Sequence, residues 1–169
     1  MNTVDVRLAR PDEYAVIGTL TTDVYVGGGF IAAASPYAAE LADTAARAAV
    51  GDVLVAEIDG ALVGSVTVAR SGTSLAPIAA ADELEFRMLA VAKTARGKGI
   101  GTTLVRHVLD LAAAEGLRAV VLSTMTPMVE ARRLYERLGF ERVPERDWEV
   151  VAGVLLPVYA YELNPARSR

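Results

Sequence analysis

The sequence has no cysteine and a single histidine, His107. The first absence excludes disulfides, thiolate metal sites and a cysteine nucleophile. The second leaves no histidine cluster to hold a metal and argues against a serine–histidine–aspartate triad. Long apolar runs are missing as well. The longest, Val150 to Val158, is about half the length of a membrane-spanning helix and is interrupted by Gly153 and Pro157. A surplus of positive charge is also lacking: 17 Lys and Arg stand against 21 Asp and Glu, a net charge of −4. A general nucleic-acid binder needs a basic face to neutralise phosphates, so that class is disfavoured. The opening residues 1–5 are polar, without a basic segment followed by an apolar one. The expectations are therefore a cytoplasmic protein, no metal, no membrane and no nucleic-acid partner.

What is present suits a folded globule. Hydrophobic residues make up 53% of 169 and charged residues 22%, enough to bury a core in one domain covering 1–169. Charge is uneven along the chain. Residues 1–80 hold four basic and nine acidic groups; residues 81–169 hold 13 basic and 12 acidic. The later part is the better host for an anionic ligand and the earlier part for a cationic one.

The residue pattern predicts a strand over 4–8 and a helix opened by Pro11, Asp12 and Glu13, which suit a first turn. Gly27, Gly28 and Gly29 end that helix, in the kind of connection that borders ligand clefts. A second helix is expected from Pro36 to about residue 49. Strands at 53–58 and 62–69 flank Asp59–Gly60, a hairpin turn signal. A long strand follows over about 83–91, then a helix whose Ile100, Leu104, Val108 and Leu111 recur at helical spacing. A short strand at 119–122, a helix at 129–138 capped by Gly139, and a last strand at 154–163 complete the pattern. The order predicts an α/β (α+β) fold with a mixed sheet flanked by helices.

The most informative segment is Arg96-Gly97-Lys98-Gly99-Ile100-Gly101-Thr102. It joins a strand to a helix start, where main-chain N–H groups lack intrahelical partners and the helix dipole is positive. Glycines admit an anion close to the backbone, and two cations add charge, which together suit a phosphate or diphosphate. Two known phosphate loops do not match. Gly101 is followed by Thr102 and Thr103 rather than by Lys and a hydroxyl residue, and the glycines fall as G-x-G-x-G rather than G-x-G-x-x-G. A charged surface turn that binds nothing is the alternative for these residues alone.

Arg96-x-x-Gly99-x-Gly101 resembles the acyl-CoA signature of the GCN5-related N-acetyltransferases. The resemblance continues through Glu85-Phe86-Arg87-Met88-Leu89-Ala90-Val91, through Ala131-x-x-Leu134-Tyr135-Glu136-x-x-Gly139-Phe140, and into Arg7-Leu8-Ala9-x-Pro11-x-Glu13, covering essentially the whole chain. It implies a mostly antiparallel central sheet and acetyl-CoA as co-substrate. Main-chain groups of Leu89 and Val91 would pair with the pantetheine arm, and the main-chain amide near Leu89 or Ala90 would steady the oxyanion. Arg96, Gly97, Lys98, Gly99, Ile100, Gly101 and Thr102 would hold the diphosphate. The arm would enter an opening beside the strand at 119–122, made by a bulge that the sequence itself does not display. One departure is Met128, where many family members carry Asn, with its amide hydrogen bonds.

Acyl transfer to an amine needs a base for the ammonium and an acid for the departing thiolate. Strand alternation puts Glu83, Glu85 and Arg87 on one face, which lines a cleft or meets solvent, and Leu84, Phe86 and Met88 on the other. The resemblance implies Glu85 as the base; a Glu85–Arg87 ion pair or an orienting carboxylate are its alternatives. It implies Tyr135 as the acid, and a core tyrosine is the alternative there. Tyr25, Phe30, Tyr37, Asp147 and Trp148 would border the acceptor, a small-molecule or peptide amine; ordinary packing of these aromatics is the alternative. With no cysteine and no activated serine to carry an acyl group, direct attack in a ternary complex is expected. A homodimer fits the resemblance, and a non-catalytic acyl-CoA sensor is the rival reading of the chain.

Overall fold

A computed structural model describes residues 3–163. The described residues divide into two compact units, one of 3–68 with 88–107 and the other of 69–87 with 108–163.

The first unit begins with β1 (Val4–Leu8), α1 (Tyr14–Tyr25), α2 (Pro36–Ala42), α3 (Thr44–Val50), β2 (Asp52–Ile58) and β3 (Ala61–Arg70). Pro11–Glu13 forms a 3-10 turn ahead of α1 rather than the helix's own first turn. The helix expected over 36–49 is broken at Asp43, whose Oδ1 accepts from the N–H of Ala46 and restarts the chain as α3. An Asx cap of this kind offers the backbone an alternative to continuing the helix. Strands β1, β2 and β3 run antiparallel, with Val4 opposite Ile58 and Asp52 opposite Val68. The turn between β2 and β3 has Asp59 at φ 51° and Gly60 at φ 81°, the primed geometry that Asp-Gly tolerates. Ile17 of α1 packs with Val53 and Val55, flanked by Ala9, Tyr14, Ala48 and Leu62.

Strand β4 (Glu83–Val91) has the expected bounds and runs from the second unit into the first. A 3-10 turn at Lys93–Ala95 follows it, then helix α4 (Ile100–Ala114). Gly64 of β3 lets α4 approach: a Cβ there would lie 2.9 Å from Ile100 Cγ2, 3.0 Å from Leu104 Cδ1 and 3.3 Å from the Ala90 carbonyl. The helix that follows the glycine-rich bend is thus seated on β3 and β4.

The second unit adds β5 (Ala119–Ser123), α5 (Val129–Leu138), β6 (Glu141–Arg142), β7 (Trp148–Val151), β8 (Val154–Leu156) and β9 (Val158–Glu162). The sheet has seven strands in the order β1-β2-β3-β4-β5-β9-β6 and is mostly antiparallel, with β4 and β5 parallel. The single last strand expected over 154–163 is two. Pro157 separates β8 from β9, and β8 turns back through Gly153 (φ 82°) to pair with β7 as a separate ribbon. Proline cannot donate to a ladder, which accounts for the break. Phe86, Tyr135 and Phe140 form an aromatic cluster with centroids 5.8 to 6.1 Å apart, extended by Tyr159 and Tyr161. Gly139 caps α5 at φ 106°, with the N–H of Phe140 returning to the Tyr135 carbonyl at 3.0 Å.

Candidate active site

The glycine-rich bend lies open. Arg96, Gly97, Lys98 and Gly99 are all exposed. Gly97 has φ 79° and Gly99 φ 76°, which only glycine adopts without strain. The first α4 bond runs from the N–H of Thr103 to the Gly99 carbonyl at 3.0 Å. Among the described residues, the N–H groups of Gly97, Lys98, Gly99, Ile100, Gly101 and Thr102 therefore have no main-chain acceptor. Consecutive unpaired donors with a helix dipole behind them bind anions, and Arg96 and Lys98 flank them.

The strand before the bend is irregular at one residue. Met88 sits at φ 57°, a left-handed conformation that costs a bulky side chain of the order of 1–3 kcal/mol. It lies next to Leu89–Val91, the stretch where the resemblance implies a bulge. Pairing between β4 and β5 runs from Glu83–Ala119 to Glu85–Val121 and stops there, although β4 continues to Val91 and β5 to Ser123. Past Glu85 the β5-facing edge of β4 makes no ladder bonds with β5. On the other edge, the N–H of Ala92 reaches the Val63 carbonyl at 2.8 Å. Leu89 and Val91 are half-buried and Ala90 is buried. Tyr25 is buried, and its hydroxyl donates to the Leu89 carbonyl at 3.2 Å.

The two acids on the polar face of β4 do not meet solvent, whereas Arg87 is half-buried. Glu83 and Glu85 are 2% and 0% exposed, covered by the loop 71–82 and the turn at Pro144–Arg146. Glu83 is saturated. It accepts from the Ala80 N–H at 2.8 Å, from both terminal nitrogens of Arg146 at 2.8 and 2.9 Å, and from Arg118 at 2.8 Å. Burial alone would raise its pKa, but Arg146 and the other donors outweigh it and hold the carboxyl below the usual range.

Glu85 differs. Its Oε1 accepts from the N–H of Ile78 at 3.1 Å and of Ala79 at 3.0 Å, whereas Oε2 is buried without a partner. No ion pair to Arg87 forms among the described residues. Burial is the largest influence and pushes the Glu85 pKa up to about 7, against the pull of the two N–H groups, Arg87 and Arg146. A carboxyl that half-titrates near neutral pH can accept and return a proton.

Tyr135 is buried in the aromatic cluster, and burial raises its pKa, so the phenol keeps its proton. The structure does not bring it against Glu85. Tyr135 packs on Phe86, the next residue along β4, and alternation turns Phe86 and Glu85 to opposite faces. Met128 caps α5 without any side-chain hydrogen bond. Arg132 donates to the Thr126 carbonyl at 2.8 Å, and Arg133 is exposed.

Sequence reasoning missed the loop donors at Ile78 and Ala79 and the pairing of Glu83 with Arg146 and Arg118. Two acids with polar-face spacing were a signal. Their cations lie 63 and 35 residues away, a separation at which no local pattern points to a partner.

The pattern of the acetyltransferase (GNAT) family matches residues 16–140, and the chain belongs to that family. That match draws on both compact units. Human N-acetylaspartate synthetase is 36% identical over 102 residues, which is 60% of this chain and 32% of that protein. N-acetyltransferase 8F1 of Rattus norvegicus is 37% identical over 93 residues, 49% of this chain and 42% of that protein. The matched stretch thus spans 32% and 42% of the length of these two curated relatives. Among solved structures, a GCN5-related N-acetyltransferase from Kribbella flavida is 28% identical with a TM-score of 0.70, covering 95% of this chain and 98% of its own. The fold is also that of a GNAT family acetyltransferase from Brucella melitensis in complex with acetyl-CoA, with a TM-score of 0.64 and 21% identity over 98% of this chain and 91% of that one.

Proposed function

We propose that this chain is an N-acyltransferase that uses acetyl-CoA to acetylate a primary amine by direct attack. The observation that carries the reading is the open bend with six consecutive N–H groups unpaired among the described residues, flanked by Arg96 and Lys98. These residues fit the diphosphate of coenzyme A. The ladder-free edge of β4 from Leu89 through Ala90 to Val91 fits an extended arm added as a further strand. The co-substrate supplies the activated acyl group as a thioester.

The chain's own residues handle protons. An amine with a pKa near about 10.4 is almost wholly protonated at neutral pH. Glu85, poised at about 7 with Oε2 unpartnered, takes that proton directly or through one water. As the C–N bond forms and the C–S bond breaks, Tyr135, kept protonated by burial, protonates the departing sulfur, and the nitrogen's second proton restores the phenol. Tyr135 packs on Phe86, the neighbour of Glu85 in β4, and ladder pairing with β5 ends at Glu85 and Val121. The acceptor is a small-molecule or peptide amine.

Calorimetric titration with coenzyme A and a thiol-release assay across an amine panel test the reading. Wild-type protein binds the coenzyme; Gly99→Glu, which places a side chain and a negative charge at a residue with φ 76°, binds at least about 100-fold more weakly. Equal binding by the two proteins overturns the placement. Binding without thiol release from any amine favours a non-catalytic acyl-CoA module.

A further inference from the structure

The loop 71–82 contains no helix or strand, yet it lays two N–H groups on one oxygen of Glu85. Arg146 is what fastens it. One terminal nitrogen of its guanidinium donates to the Ile78 carbonyl at 2.6 Å and to Glu83 Oε1 at 2.8 Å; the other donates to Glu83 Oε2 at 2.9 Å. Glu83 is fixed in β4 and further held by Arg118 and the Ala80 N–H. A single planar cation thus bridges a rigid strand and the residue whose N–H reaches Glu85. The fork is specific to arginine, because an ammonium lacks two coplanar nitrogens to span a carboxylate and a carbonyl together.

We infer that Arg146 is a positioning residue for Glu85: by tying Ile78 to Glu83 it keeps both loop N–H groups on Oε1 and leaves Oε2 as the oxygen that exchanges the proton. Its catalytic meaning rests on Glu85 as the base; its structural content does not. The charged groups bearing on Glu85 are Arg87 and Glu83 from its own strand, the latter neutralised by Arg118 and Arg146, and Arg146 itself from the 144–146 turn. The loop contributes main-chain N–H groups, and β5 places Val121 opposite. Both the cation and the N–H donors favour the ionised carboxylate, so losing Arg146 makes Glu85 easier to protonate.

The test uses the full chain with Arg146→Met and Arg146→Lys. Carboxyl NMR of protein carrying 13C-labelled glutamate follows Glu85, its resonance assigned by its loss in Glu85→Gln. In Arg146→Met the Glu85 midpoint rises by at least about one pH unit, and by less in Arg146→Lys. The acid limb of kcat/KM moves with it, while rates at high pH approach wild type. A fall in kcat/KM equal at every pH, with an unmoved Glu85 midpoint, overturns the inference. Urea unfolding first establishes that each variant is folded; if Arg146→Met is not, the midpoint in Arg146→Lys decides. A shifted midpoint without a shifted rate profile removes Glu85 as base and leaves the positioning intact. A profile whose acid limb vanishes in Glu85→Gln but stays put in both Arg146 variants does the reverse.

Discussion

Two carboxylates two residues apart on one face of one strand have opposite surroundings. Glu83 receives hydrogen bonds on both oxygens and faces two guanidinium groups. Glu85 receives two on one oxygen and none on the other, with no ion pair. Burial acts on both, but only Glu83 has enough donors to overcome it, so one pKa falls and the other rises. Unequal environments of this kind divide labour between like groups: one stays charged as a fastening, the other titrates near neutral pH.

The sharpest way to break the comparison is to exchange each acid for its amide. Glu85→Gln is expected to lower kcat about 100-fold near pH 7 and to recover as rising pH deprotonates the amine unaided. A stopped-assay pH profile that keeps the wild-type shape removes Glu85 from proton transfer. Glu83→Gln is expected to destabilise the protein by about 3 kcal/mol, since it strands two cations in partly buried positions. Urea unfolding that shows no loss means the network around Glu83 is dispensable.

Stability against pH separates the two acids with opposite slopes. Glu85 binds its proton more tightly in the folded state, so it lowers stability as pH rises from about 4.5 through 7, by about 3 kcal/mol in all. Glu83 binds its proton less tightly when folded, so its contribution is present above the unfolded pKa and disappears as pH falls below it. Thermal or urea midpoints of Glu85→Gln measured between pH 5 and 8 should lose the first slope; an unaltered slope contradicts the raised pKa. The smallest effect is expected from Tyr135→Phe. Stability should stay within about 0.5 kcal/mol, because the ring packing is kept. Thiol release should slow by about 10-fold, in line with loss of a hydrogen bond to a charged atom. No slowing identifies Tyr135 as core only.

Much of the framework was legible because local rules and tertiary structure agree. The bounds of β4 and α5, the Asp59–Gly60 turn and the Gly139 cap follow from alternation, periodicity and glycine chemistry. The bend at 96–102 could be read because glycines and a helix start carry their meaning locally. The misses share a cause. The break at Asp43 and the reversal at Pro157 turn on a single cap and a single proline inside otherwise continuous patterns. The burial of Glu83 and Glu85, expected to line a cleft or meet solvent, depends on a loop and a distant turn folding over them. A polar face shows only that it needs partners, not whether water or protein provides them.

At Met88 a left-handed φ meets a buried side chain, so the position makes opposing demands. Glycine would suit the backbone and leave a hole, whereas a β-branched residue would fill the space and strain the backbone.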